Sequence, residues 1–149
     1  MSDTDLIKLY STRILALAAD IPRQERLSDP DATVRKRAPL CGSTITVDVT
    51  TEAGRITGYG QEVRACALGQ AAASVVGANV IGCTKAQILA ARDALKAMLK
   101  EGGPVPAAPF DGLEVLQPAR EYKNRHASIM LSLDALSQAM DEAEQTHCA

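Results

Sequence analysis

Along the first twenty residues the apolar side chains fall at Leu6, Tyr10, Ile14 and Leu17. That is the spacing of one helix face, and it predicts a helix over about 3–19 that Pro22 ends. Residues 23–31 are polar and include Pro30, a loop pattern. Residues 32–37 read as a short edge strand. The period then changes to two. Ile45, Val47 and Val49 alternate with Thr44, Thr46, Asp48 and Thr50, which predicts a strand over about 43–51 with one dry face and one wet face. Glu52-Ala53-Gly54 turns the chain, and a glycine-weakened strand over about 55–64 pairs back.

After residue 66 the pattern becomes helical again. A stretch rich in Ala, Ser and Gly predicts a helix over about 67–78, whose small side chains let another element approach its backbone. Gly82 closes that region. Thr84 and Gln87 have capping-box spacing, and Ile88, Ala91, Leu95 and Met98 form one face of a helix over about 84–101. Gly102-Gly103-Pro104 stops it. Residues 102–109 read as an irregular connector and Leu113 to Leu116 as a short helix. A last helix, over about 121–144, carries Ile129, Leu133, Leu136 and Met140 on one face, with a frayed tail from Thr146. The order predicts an α+β fold: a small antiparallel three-stranded sheet packed against helices, in a single domain over 1–149. Strands do not alternate with helices, so a large parallel sheet is not expected.

Composition narrows the core and the partners. Hydrophobic residues make up 46% of the chain, aromatics only 3%, and Trp is absent, so the core is built from Ala, Val, Leu and Ile. The net charge of −2 gives no global reason to bind nucleic acid or an anionic membrane. One local exception is the basic run Arg35-Lys36-Arg37, readable as a solvated edge strand or as a docking patch for an acidic partner. The start of the chain lacks a secretory pattern, and no apolar run approaches the roughly 20 residues of a membrane span. A cytoplasmic location is therefore expected, with the four cysteines as reduced thiols, metal ligands or reactive groups.

Two of those cysteines fall at turns. Cys41 lies in Pro39-Leu40-Cys41-Gly42-Ser43, just before a predicted strand, and Cys66 lies at the mouth of the small-residue helix. Orphan N–H groups at a helix start stabilise a thiolate. Each cysteine also reads as a small core residue. A hairpin separates them, so both sulfurs can lie at one end of the sheet. Two thiolates hold a soft metal only with further ligands. His126, at the start of the last helix, is readable as a partly exposed polar residue or as an imidazole ligand. Ser43 offers only a neutral hydroxyl, a poor ligand for a soft metal. Cys83 reads as a bystander beside a helix cap, and His147 and Cys148 lie in the tail. With two histidines and no visible nucleophile–base pair, independent catalysis is not expected.

Together these motifs resemble the NifU/IscU-type iron–sulfur cluster assembly scaffolds. Leu9-Tyr10-Ser11 resembles the family's Tyr-containing opening helix, and Ala38-Pro39-Leu40-Cys41-Gly42-Ser43 resembles its first ligand turn, x-Pro-x-Cys-Gly-Asp. Cys66 followed by Ala71, Ala73 and Ser74 resembles the second motif, and Gly82-Cys83-Thr84 takes the place of a Gly-Lys-Ser/Thr turn. The segment from Arg125 to Leu136 resembles the third, an Arg followed three residues later by Cys. Three positions depart: the motif Asp is Ser43, the third Cys is Ser128, and the residue before it, His in part of the family, is Ala127.

The resemblance implies an iron–sulfur cluster assembly protein that is not an enzyme. It would hold iron, a [2Fe-2S] cluster or persulfide sulfur transiently on Cys41 and Cys66. His126 is a candidate third ligand, and Ser43 and Ser128 stand at the remaining ligand positions. Zinc is a further candidate, since a related branch binds it at this site. The implied partners are a cysteine desulfurase and iron–sulfur acceptor proteins, with no nucleic acid and no membrane. Two other readings stay open: a zinc- or iron-binding sulfur-transfer partner, and a non-catalytic regulatory module of the same fold.

Overall fold

The computed structural model describes residues 11–39 and 42–148. Helix α1 (Thr12–Ala19) leads to strands β1 (Ala32–Arg37), β2 (Thr44–Glu52) and β3 (Arg55–Arg64). Helices α2 (Ala67–Asn79) and α3 (Lys85–Glu101) follow, then 3₁₀ turns at Asp111–Glu121 and Lys123–Arg125, then helix α4 (His126–Cys148). The sheet is antiparallel in the order β1-β2-β3, as its alternating pattern predicts. Helices α2 and α4 pack together, and α4 also lies against β1, β2 and α3.

The dry face of β2 is the expected one: Ile45, Val47 and Val49 are all buried. Opposite them on β3 stand Val63, Gln61 and Tyr59. The register shifts between Thr50 and Thr51. An extra residue inverts the side-chain alternation, so Ile56 and Tyr59, an odd number of positions apart, both reach the core.

The predicted wet face of β2 is partly covered. Asp48 is fully buried, because the loop before β1 lies over it. Arg26 Nε and Nη2 donate to its carboxylate at 2.6 and 3.1 Å, the Leu27 N–H at 3.0 Å and Thr33 Oγ1 at 2.6 Å. The glycines of β3 make room for that loop: a Cβ on Gly60 would stand 2.4 Å from the Glu25 carbonyl oxygen.

Helix ends differ from the periodicity in three places. Ser11 is extended and its Oγ accepts from the Ile14 N–H at 3.2 Å, so the first helix among the described residues begins at Thr12, with Ser11 as its cap. Residues 3–10 of the predicted helix, with Leu9 and Tyr10, lie outside the described residues. The stretch before α4 is 3₁₀ from Asp111 to Glu121 and carries Pro118, which has no N–H to donate. A second 3₁₀ turn at Lys123–Arg125 follows, and the last helix starts at His126 rather than near 121. Its end is helical to Cys148 rather than frayed at Thr146, whose hydroxyl donates to Glu142 and Asp31 carbonyls at 3.0 and 3.3 Å. The capping box of α3 is present in full, with Thr84 and Gln87 bonding reciprocally.

Candidate functional site

The site lies at one end of the sheet. Arg37, the last residue of β1, pairs with Thr44, the first of β2, and Thr44 pairs with Arg64, the last of β3. The chain therefore leaves β3 beside the point where it enters β2. Two residues after Arg64 comes Cys66, and one residue before Thr44 comes Ser43. Cys41 lies outside the described residues. Its described flanks close a loop: the Ala38 N–H donates to the Ser43 carbonyl at 2.8 Å, and the Gly42 N–H donates to the Ala38 carbonyl at 3.0 Å. Gly42 has φ +71, which only glycine adopts at little cost.

Cys66 is the N-cap of α2, extended at φ −66 and ψ 168, and its carbonyl accepts from the Gln70 N–H at 2.9 Å. Its side chain makes no capping bond, so the first-turn N–H groups of α2 keep their capacity for an anion. The half-buried sulfur faces α4 instead. Its Sγ lies 3.4 Å from Ser128 Oγ, and Ser128 Oγ donates to Ser43 Oγ at 3.0 Å. Both serines are buried, Ser128 at 1% and Ser43 at 4% exposure. With the Ser128 proton on Ser43, the Ser128 oxygen accepts from the Cys66 thiol. Rotation of the hydroxyl turns it into a donor toward a thiolate.

Gly69 makes this contact possible, and the spacing of the two cysteines does not reveal it. A Cβ there would meet Ser128 Oγ at 2.5 Å and the Ser128 carbonyl at 3.1 Å. Its signal in the sequence is a glycine one turn into the helix that Cys66 opens. Ala71, Ala72, Ala73 and Ser74 are all buried, so α2 can nest between its neighbours.

His126 does not join Cys66. Its ring is buried, and Nε2–H donates to the Ala119 carbonyl at 3.0 Å. Two residues of α-helix turn a side chain by roughly 200°, so His126 points away when Ser128 points at Cys66. It is a buried histidine with Nε2 on a backbone carbonyl, not the partly exposed residue of the first reading. Cys83 is buried and its Sγ donates to the Asn79 carbonyl at 3.4 Å. Burial pushes its thiol pKa up, with the Arg55 charge opposing, so it is an inert core thiol. Among the described residues no group of three or more His, Cys, Asp or Glu could hold a metal ion. The described part of the site therefore offers one sulfur and two hydroxyls.

No protein-family model matches the chain, and no curated protein matches it. Solved structures do. One is the crystal structure of a nitrogen-fixing NifU-like protein (N-terminal) from Brucella abortus, 42% identical, covering 95% of this chain and 98% of its own, with a TM-score of 0.92. A second, from the thermophile Fervidobacterium islandicum AW-1, is a protein assigned as an iron–sulfur cluster assembly scaffold for the SUF system. It is 19% identical, covers 90% of this chain and 98% of its own, and has a TM-score of 0.79. A third, a hypothetical protein, is 23% identical over 91% of this chain and 98% of its own, with a TM-score of 0.80. The last two share the fold.

Proposed function

The chain belongs to the NifU-like family of iron–sulfur cluster assembly scaffolds, and on that premise we propose that its one domain carries iron–sulfur cargo transiently at Cys66 and Cys41. The observation that carries this reading is the contact of Cys66 Sγ with Ser128 Oγ and of Ser128 with Ser43. By the motif resemblance these stand for the family's second cysteine, third cysteine and motif aspartate, and Ser128 lies within hydrogen-bond distance of the other two. The site is at the end of a sheet, on turns, with a half-buried sulfur. Cargo that has to leave suits such a place better than a closed cage.

Iron or a [2Fe-2S] cluster is the cargo in this reading, and its donors are a cysteine desulfurase and its recipients iron–sulfur acceptor proteins. Two thiolates hold a cluster loosely, because clusters normally take four protein ligands. Anaerobic reconstitution with ferrous iron and sulfide tests it. The expected product shows sulfur-to-iron charge-transfer absorption that Cys66→Ala abolishes. Absorption unchanged by that substitution, or none in the parent protein, refutes it.

A second reading has its own observation. Hydroxyls replace a carboxylate and a thiolate at this site, so it offers hydrogen bonds where ligands are expected. That favours a sulfur carrier: the Cys66 thiolate attacks the outer sulfur of a donor persulfide, the S–S bond breaks, and the donor leaves as a thiolate. Cys66 gains one sulfur, visible by mass after incubation with a desulfurase and its substrate; an unmodified mass counts against it.

A further inference from the structure

A charged concavity lies between α3, α4 and the 3₁₀ turns. It is a cleft of about 900 Å³. Arg92, Lys96 and Lys100, spaced four apart on α3, form one wall. Arg120 and Lys123 of the 3₁₀ turns form the other, and buried Leu99 and Met130 lie between them. Arg92 is partly neutralised by Asp93 at 3.4 Å. No ion pair among the described residues engages Lys96, Lys100, Arg120 or Lys123. One half-buried acid, Asp134, stands inside the cleft. Burial raises its carboxyl pKa, and Lys36, Arg92, Lys96 and Lys100 act on it in the opposite direction. Lys36 is half-buried on β1, the strand against which α4 packs. The Arg35-Lys36-Arg37 run is thus divided by the strand: Lys36 turns toward Asp134 and α4.

We propose that this cleft docks an acidic segment of a partner protein. Charge complementarity selects the occupant. The chain as a whole is at −2, yet in this cleft the five cations Arg92, Lys96, Lys100, Arg120 and Lys123 outnumber the three carboxylates Asp93, Glu121 and Asp134. Such a surface steers an acidic partner and fixes its register. A membrane is flat, and the apolar side chains of this surface are recessed rather than protruding. Nucleic acid finds no Phe, Tyr or Trp lining the cleft on which a base could stack, the His126 ring is buried, and Asp93, Glu121 and Asp134 interrupt the cations.

A fluorescein-labelled deca-glutamate peptide is the probe, read by anisotropy at low salt without iron, sulfide or sulfur donor. The cargo reading can then fail without affecting this test. The peptide is expected to bind and to be released as salt rises. Lys96→Glu, an exposed change, weakens binding about fivefold, and Arg13→Glu, an equal charge change on α1, leaves it within about twofold. Asp134→Asn tightens binding several-fold, because it removes the carboxylate that competes for the same cations; a merely structural role predicts no gain. Equal losses for Lys96→Glu and Arg13→Glu overturn the proposal. So does tighter binding of an oligothymidylate or of phosphatidylserine vesicles than of the peptide. Dimerisation that Lys96→Glu abolishes assigns the cleft to a second copy of the chain and likewise overturns it.

Discussion

Ser128 touches both other polar groups at the site, 3.4 Å from Cys66 Sγ and 3.0 Å from Ser43 Oγ. A sulfur at that position would face the same neighbours, and Gly69 leaves the backbone space for it. Ser128→Cys is therefore expected to turn a loose site into a retentive one. After anaerobic reconstitution and desalting, the variant should keep severalfold more iron than the parent, since a thiolate binds iron far better than a hydroxyl. Equal retention in both proteins means that residue 128 is not a ligand position. The same residue explains the place of His126. A helix cannot turn both residues 126 and 128 toward one sulfur, and the Ala119 carbonyl holds the imidazole on the other side.

Strand β3 shows how an element accepts a residue type that weakens it. Gly58 and Gly60 lower strand propensity, and both stand beneath the loop that precedes β1. A Cβ on Gly60 meets backbone, with the Glu25 carbonyl oxygen at 2.4 Å and the Leu27 nitrogen at 3.2 Å. At Gly58 the nearest atom is the Thr50 hydroxyl at 2.5 Å, a side-chain end that can turn away. Gly→Ala reduces the entropy of the unfolded chain and so stabilises by about 0.4–1 kcal/mol where it fits. At Gly60 the backbone clash outweighs that gain. Gly60→Ala should lower stability by about 2 kcal/mol in urea unfolding, and Gly58→Ala by clearly less. The opposite order would show that the loop does not rest on Gly60.

Across the whole molecule, Asp48 links the loop to the sheet. Burial alone raises its pKa, but the hydrogen bonds from Arg26, Thr33 and the Leu27 N–H, with the Arg26 charge, hold it below the usual aspartate value. The unfolded chain then binds this proton more readily than the folded one. The group's stabilisation is full at neutral pH and fades as pH falls below about 5 and through the folded pKa. Asp48→Asn should cost about 3 kcal/mol at pH 7 and flatten the acid limb of a stability–pH curve. An unchanged acid limb would remove Asp48 as its cause. Nothing local announced this burial: Asp48 sits at a polar position of an alternating strand, and only a loop folded back from residues 23–31 covers it. The basic cleft has the same origin. Arg92, Arg120 and Lys123 belong to three separate elements, and each alone reads as a solvated charge. By itself the sequence determined the three strands, the order of the described helices, the Thr84–Gln87 capping box and the place of Cys66 at a helix start, because periodicity and capping are local properties of the chain. Tertiary structure decided which groups meet. It placed Ser43, Cys66 and Ser128 in one contact, turned His126 away, buried Asp48 and gathered the cations, because these relations depend on how helices and loops pack across distances that no local pattern encodes.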